Sequence, residues 1–190
     1  MSDESFMGQV LDALPSQVLE LRRKKFHTFN FGPNHNVWFV TDGLMMSVRS
    51  AEDGRFKGTS LFGVNSILGL SGFYGLDKDV TCFTLSQTVL RGISTRLLSN
   101  LLKENARLCY EMMLYSSRLF SRVMDELETS TLRTLEEQIA SFENNLRQMD
   151  LPADFSVTET CVAMAIGAHP VSVSRARKRL KDSGNKPSQR

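Results

Sequence analysis

The amino-acid sequence predicts an α+β chain: a β-roll over residues 1–94, a helical tract over 95–149 and a helix-turn-helix over 150–190. Three observations carry this. Residues 26–94 hold short, apolar, β-prone runs separated by glycine-containing turns. Residues 95–149 contain neither Pro nor Gly. The last segment places two short apolar-faced stretches around a glycine, the second of them rich in Arg and Lys.

Residues 8–25 read as a short amphipathic helix ending in the basic run Arg22–Lys25. The strand region follows, punctuated by Phe31-Gly32-Pro33-Asn34, Thr41-Asp42-Gly43, Glu52-Asp53-Gly54 and Gly69 to Gly75. Between the turns lie runs such as Val37-Trp38-Phe39-Val40 and Val80-Thr81-Cys82-Phe83-Thr84-Leu85. Asp53-Gly54 predicts a tight hairpin, and short strands at this spacing predict a small barrel or jelly roll.

The character changes near Ser94. Within the helical tract, Leu108, Met112, Tyr115, Leu119, Val123 and Leu127 recur at intervals of three and four and form an apolar seam. Met113, Leu114, Phe120 and Met124 widen it, so this helix is expected to pack on its own roll and on a second helix. A tract this long outruns a small barrel, which predicts a homodimer through about residues 105–128. Glu128-Thr129-Ser130 reads as a break, with Thr129 or Ser130 capping a second helix over 131–148. Met149 to Asp154 is the linker onward.

In the terminal unit, Ser156 and Glu159 have capping-box spacing for a helix with Val162, Ala163 and Ile166 on its apolar face. Gly167 is expected to end it in a left-handed conformation. Pro170 suits the first turn of the next helix, where its missing N–H costs nothing. Val173, Ala176 and Leu180 should pack inward, and Ser172, Arg175, Lys178, Arg179 and Asp182 outward. Small Ala163 and Gly167, with Val173 beyond, allow two helices to cross closely at a steep angle. The second helix suits a DNA major groove. Arg175 is placed for a bidentate contact to guanine, and Ser172, Ser174, Arg177, Lys178, Arg179 and Lys181 for phosphates.

Bulk properties agree. Residues 151–190 carry seven Lys/Arg against three Asp/Glu, and residues 1–150 sixteen against eighteen, so the net +2 is concentrated at the basic end. A basic end on a near-neutral body points to a polyanion. The chain is 41% hydrophobic and 23% charged, and no run approaches the roughly 18 apolar residues of a membrane span. The acidic opening lacks a signal-peptide core, so a cytoplasmic protein without a membrane partner is expected. Cys82, Cys109 and Cys161 have no metal-ligand spacing and read as buried thiols. No paired carboxylates, HExxH, GxSxG or P-loop is present, so no catalytic activity, metal or cofactor is expected.

Assembled, these residues resemble the catabolite-activator/fumarate-nitrate-regulator (Crp/Fnr) superfamily over roughly 10–184. Ile166-Gly167 and Val171-Ser172-Val173-Ser174-Arg175 to Leu180 look like its recognition helix. Val37-Trp38-Phe39-Val40 to Gly43 and Glu52-Asp53-Gly54-Arg55 match its cyclic-nucleotide-binding-like sensor roll. Leu135-Glu136-Glu137-Gln138-Ile139-Ala140 is similar to the segment after its dimer helix. The resemblance implies a homodimeric, DNA-binding transcription regulator with a small-molecule effector and, if it activates, RNA polymerase as a further partner.

The departures narrow that. The candidate effector pocket falls on Gly69, Leu70, Ser71, Gly72, Val80 and Thr81. Nucleotide-binding relatives have a carboxylate where this chain has Leu70-Ser71, and an Arg at Val80, which removes the charge-assisted phosphate contact. Cyclic AMP is therefore not expected. Self-closure by Phe62, Leu68, Phe73 and Tyr74 is an alternative, and His27 and His35 are weak candidates for haem. At the DNA end, Pro170 and Val171 stand where relatives carry base-reading polar residues, so a different half-site is expected. The tail Asn185 to Arg190 is too short for the family's β-hairpin wing, which keeps open a wingless sensor or interaction protein without productive DNA binding of its own.

Overall fold

The computed structural model describes residues 8, 10, 11, 14–32, 34–50, 52, 54, 56–76, 78–149, 151, 152 and 154–184. The β-prone runs form eight strands: β1 (Gln17–Leu21), β2 (Phe26–Asn30), β3 (Asn36–Asp42), β4 (Met45–Ser50), β5 (Phe56–Phe62), β6 (Ile67–Leu68), β7 (Asp79–Thr84) and β8 (Thr88–Ser94). They build two four-stranded sheets, ordered β1-β8-β3-β6 and β2-β7-β4-β5, in a jelly-roll arrangement. The hairpin expected at Asp53-Gly54 is the β4–β5 neighbour pair, although Asp53 itself lies outside the described residues.

Residues 17–21 correct the expected helix over 8–25. They are strand β1, paired antiparallel with β8 from Gln17↔Gly92 to Leu21↔Thr88. Pro15 removes a backbone donor and blocks a helix there, while sheet pairing satisfies the backbone and buries Leu21.

Strand β3 is buried on both faces. Trp38 and Val40 join Leu21, Phe29, Phe31, Met45, Phe62, Leu68, Cys82 and Leu90 between the sheets. Val37 and Phe39 point the other way, to Leu98, Leu108 and Met112 on the helices. Period-two alternation thus serves two cores, which is why the run is uniformly apolar.

After α1 (Leu70–Phe73), the Gly-free tract divides into α2 (Thr95–Glu104), α3 (Ala106–Leu132) and α4 (Leu135–Arg147). Ser94 caps α2 by accepting from Leu97 N–H at 3.3 Å. Asn105 breaks the chain between α2 and α3, and its Oδ1 caps α3 through Leu108 N–H at 3.0 Å. The break expected at Glu128-Thr129-Ser130 falls instead at Arg133-Thr134. The Ser130 hydroxyl turns back to the Leu127 carbonyl inside α3 (3.0 Å). Thr134 supplies the cap, forming a capping box with Glu137.

The expected seam of α3 also divides. Leu108 and Met112 are buried in the helix-side core, and the Tyr115 hydroxyl accepts from Ile67 N–H at 2.8 Å. Burial raises the pKa of that phenol. The exposed apolar residues of α3 are Tyr110, Met113, Phe120, Val123, Met124, Leu127 and Leu132. With exposed Ser117, the series Tyr110, Met113, Ser117, Phe120, Met124, Leu127 follows a strict three-four alternation, the spacing of a coiled-coil seam.

By contacts, the chain divides into Met1–Ser47 with Ser60–Val123, and Val48–Thr59 with Met124–Arg190. The second unit buries Ile139, Phe142 and Leu146 of α4 together with residues of two further helices, α5 (Glu159–Ile166) and α6 (Pro170–Gly184). All three cysteines are free; Cys82 and Cys161 are buried and Cys109 is half-buried. Burial pushes the Cys82 thiol up to about 12, which leaves it protonated and unreactive at neutral pH. No helix among the described residues is long and apolar enough to cross a membrane.

Candidate nucleic-acid interface

Helices α5 and α6 meet at a turn that the residues dictate locally. Thr158, not Ser156, caps α5; its hydroxyl accepts from Cys161 N–H at 3.3 Å. Glu159 is therefore the first helical residue and complements the positive end of the helix. Gly167 ends α5 at φ 72°, and Ala168 N–H closes onto the Ala163 carbonyl at 2.9 Å. A side chain at 167 would be strained at that φ and would press on the Lys57 methylenes at 3.2 Å. Pro170 opens α6, as expected. His169 completes the entry: its carbonyl accepts from Ser172 N–H (2.9 Å) and its Nδ1 from Val171 N–H (3.3 Å). The sequence reading missed this cap because histidine is not among the usual capping residues.

Val173 and Ala176 are fully buried, and α6 packs on α4 and α5. Leu180 corrects its inward assignment, being 36% exposed. On the solvent side, Val171, Ser174, Arg175 and Lys178 recur at i, i+3, i+4 and i+7, with Ser172 alongside. One exposed face therefore carries a guanidinium, an ammonium, two hydroxyls and an apolar side chain.

Arg177 and Arg179, expected at phosphates, each also form an ion pair within the chain. Arg177 Nε donates to Glu143 Oε1 at 3.0 Å, and Nη2 reaches the same oxygen. Arg179 Nε donates to Glu136 Oε1 at 2.7 Å, and this bond holds the Glu136 carboxyl below the usual range. Both acceptors lie on α4; Arg177 is 23% exposed in its pair, whereas Arg179 stays 62% exposed and still presents to solvent. A helical projection alone cannot reveal these pairs, because the partners lie 34 and 43 residues away. The Lys181 side chain lies outside the described residues, as does the expected winglessness of residues 185–190.

The candidate effector positions fall around α1 and β7. Gly69 caps α1 at φ 91°. A Cβ on Gly69 would stand 2.1 Å from Phe31 Cε1, and one on Gly72 2.1 Å from Phe31 Cβ. Both glycines therefore make room for the Phe31 ring. Leu70 is buried, Val80 packs on the inter-sheet core, and the Thr81 hydroxyl meets that of Thr28 at 3.0 Å. Among the candidates for self-closure, Phe62 and Leu68 are in that core. Phe73 packs instead on the helix-side core, and Tyr74 is exposed. Phe29, Phe31 and Trp38, which the sequence reading did not single out as fillers, contribute three aromatic rings.

No family model and no curated relative matches the chain. Solved structures match nearly all of it. It is similar to the c-di-GMP responsive global regulator CLP of Xanthomonas campestris, with a TM-score of 0.76 and 17% identity over 99% of this chain and 96% of that one. FixK2 of Bradyrhizobium japonicum gives 0.75 and 15% over 93% and 90%. A Crp/Fnr-family transcriptional regulator from Eubacterium rectale gives 0.70 and 18% over 97% and 87%. The fold is that of the Crp/Fnr transcription regulators. Within a Crp/Fnr roll, Phe31 between Gly69 and Gly72 and apolar Val80 leave the candidate phosphate position without a cation among these residues.

The Arg177–Glu143 pair yields a direct test. Arg177→Ala is expected to lower stability by about 1–2 kcal/mol, because it leaves a half-buried carboxylate without its charged donor. A double-mutant cycle with Glu143→Gln in chemical denaturation should show coupling of about 1 kcal/mol. Unchanged stability with a weaker salt dependence of DNA binding would instead assign Arg177 to a phosphate.

Proposed function

We propose that the chain is a homodimeric, DNA-binding transcription regulator that reads a near-palindromic site through α6. The observation that carries this reading is the exposed face Val171, Ser174, Arg175, Lys178 on a helix packed on α4 and α5 through buried Val173 and Ala176. A base-reading helix must be rigid to discriminate, and its unpaired cations must face outward. The described neighbours are transcriptional regulators, which supports the same reading.

In the proposed complex Arg175 reads a guanine, Val171 touches a thymine methyl, and Ser172, Ser174, Lys178 and Lys181 meet phosphates. Two copies joined along the exposed seam of α3 would set their recognition helices about 34 Å apart, one turn of DNA. A small-molecule effector would act by shifting the population of two arrangements of the DNA-binding units; cyclic AMP is not that effector. RNA polymerase would be a further partner in an activating role.

The reading is tested by fluorescence anisotropy on a duplex selected by the wild-type chain. Arg175→Ala should cost about 1–3 kcal/mol and relax one base position in each half-site, whereas Lys178→Ala should weaken all sequences alike and reduce the salt slope by about one. If Arg175→Ala lowers affinity for all sequences equally, Arg175 does not read a base.

A further inference from the structure

Strands β1 and β2 are the end strands of their two sheets, and between them opens a cleft of about 540 Å³. Its construction is specific. Gln17, Gly92 and Trp38 stand side by side across β1, β8 and β3. Gly92 presents no side chain, and a Cβ there would lie 2.7 Å from Trp38 Cζ3 and 2.8 Å from Asn36 Nδ2. The indole and the amide therefore lie across β8, and Asn36 Nδ2 donates to Gln17 Oε1 at 3.1 Å. Phe29 meets Trp38 edge to face, with ring centroids 6.0 Å apart. The result is an aromatic and amide wall.

His27 lies on the facing strand. It shares an orientation with Phe29 on β2 and pairs across β7 with buried Cys82. Its Nε2 is buried and has no hydrogen-bond partner among the described residues, yet the side chain lines the cleft. Solvent does not reach that nitrogen, so His27 borders the cleft through the rest of its ring rather than through Nε2. Burial lowers the pKa of His27, so the ring is neutral at physiological pH.

The rest of the lining selects against charge. Asn34 and Asn30 add amides, and Glu20 on the rim is a carboxylate. Among the described lining residues there is no Lys or Arg. Anions would meet the Glu20 carboxylate and, apart from the imidazoles of His27 and His35, no group able to carry positive charge among the described lining residues. Neutral donors and acceptors beside aromatic rings match a ring that carries several hydrogen-bonding groups. None of Gly69, Leu70, Ser71, Gly72, Val80 or Thr81 lines this cleft.

We propose that the β1–β2 cleft is a small-molecule site for a neutral ring compound bearing several hydroxyl or amide groups, of nucleoside or monosaccharide size. This does not depend on the DNA-binding reading, because it is tested without DNA. Trp38 is the single tryptophan of the chain, so intrinsic fluorescence reports the cleft directly. The full chain is titrated with adenosine, adenosine monophosphate and methyl glucoside up to about 10 mM, a range that covers weak small-molecule binding. A saturating change with adenosine identifies a nucleoside site, and one with methyl glucoside a saccharide site. Asn36→Leu should weaken the responding probe several-fold, about the loss of one hydrogen bond, and Leu76→Ala, exposed and outside the cleft, should leave it unchanged. Glu20→Lys, on the exposed rim, should tighten adenosine monophosphate several-fold relative to wild type. The proposal is overturned if neither neutral probe saturates, if adenosine monophosphate binds wild type as tightly as adenosine, or if both Asn36→Leu and Glu20→Lys leave binding unchanged.

Discussion

A chain carrying Met113→Glu and Phe120→Glu is expected to sediment as a monomer at micromolar concentration and to lose most of its affinity for a selected palindromic duplex. Both side chains lie on the exposed stripe of α3, 65% and 67% accessible, and belong to the three-four series from Tyr110 to Leu127. In a symmetric pair each helix would face its own copy, so two substitutions place four carboxylates in one apolar seam. Burying unpaired charge costs several kcal/mol. The DNA effect follows by avidity. A dimer binds its second half-site at an effective concentration in the millimolar range, and a monomer loses that gain, a drop of about 10²–10⁴-fold. Met112→Ala is the informative contrast. Met112 is fully buried on the opposite face in the core of its own chain. It should therefore lower folding stability by about 2–5 kcal/mol. A double variant that remains dimeric would place the interface elsewhere.

Phe31→Ala is expected to be among the most damaging single substitutions, at about 3–5 kcal/mol by chemical denaturation. The ring is 6% exposed, sits in the inter-sheet core, and packs against both Gly69 and Gly72. Those glycines cannot supply replacement atoms, so the space left behind does not close locally. Gly69→Ala should also destabilise, for the opposite reason: its Cβ would overlap Phe31 and its φ is positive. A loss below about 1 kcal/mol for Phe31→Ala would mean that the region around α1 collapses readily, and that the ring does not hold it shut.

The helix-turn-helix was legible because each of its signals is local. Gly167 at a left-handed position, Pro170 at the first helical turn, and Val173 and Ala176 one turn apart all read directly from spacing. The jelly roll was legible from turn chemistry. What escaped depends on partners distant in sequence. β1 looked helical because an amphipathic pattern was weighed without Pro15 and without its partner β8. The break at Asn105 went unread inside the helical tract, and the end of α3 moved because Thr129 is a tolerated helix residue, a choice that burial of Thr129 helps settle. Arg177 and Arg179 projected outward on a helical wheel, and only the placement of Glu143 and Glu136 on α4 shows their ion pairs. Phe31 gave no signal at all, since an aromatic beside a Gly-Pro turn is as consistent with a surface as with a core.

The most direct test of the central claim is selection of bound duplexes from a randomised pool by the purified full chain, at two salt concentrations, followed by sequencing. The account predicts an inverted repeat with half-site centres about one helical turn, roughly 10 base pairs, apart, and affinity that falls steeply with salt. Weak binding without a shared motif, under conditions where the chain is folded and dimeric, would contradict it and favour a sensor or interaction protein in which α6 does not read DNA.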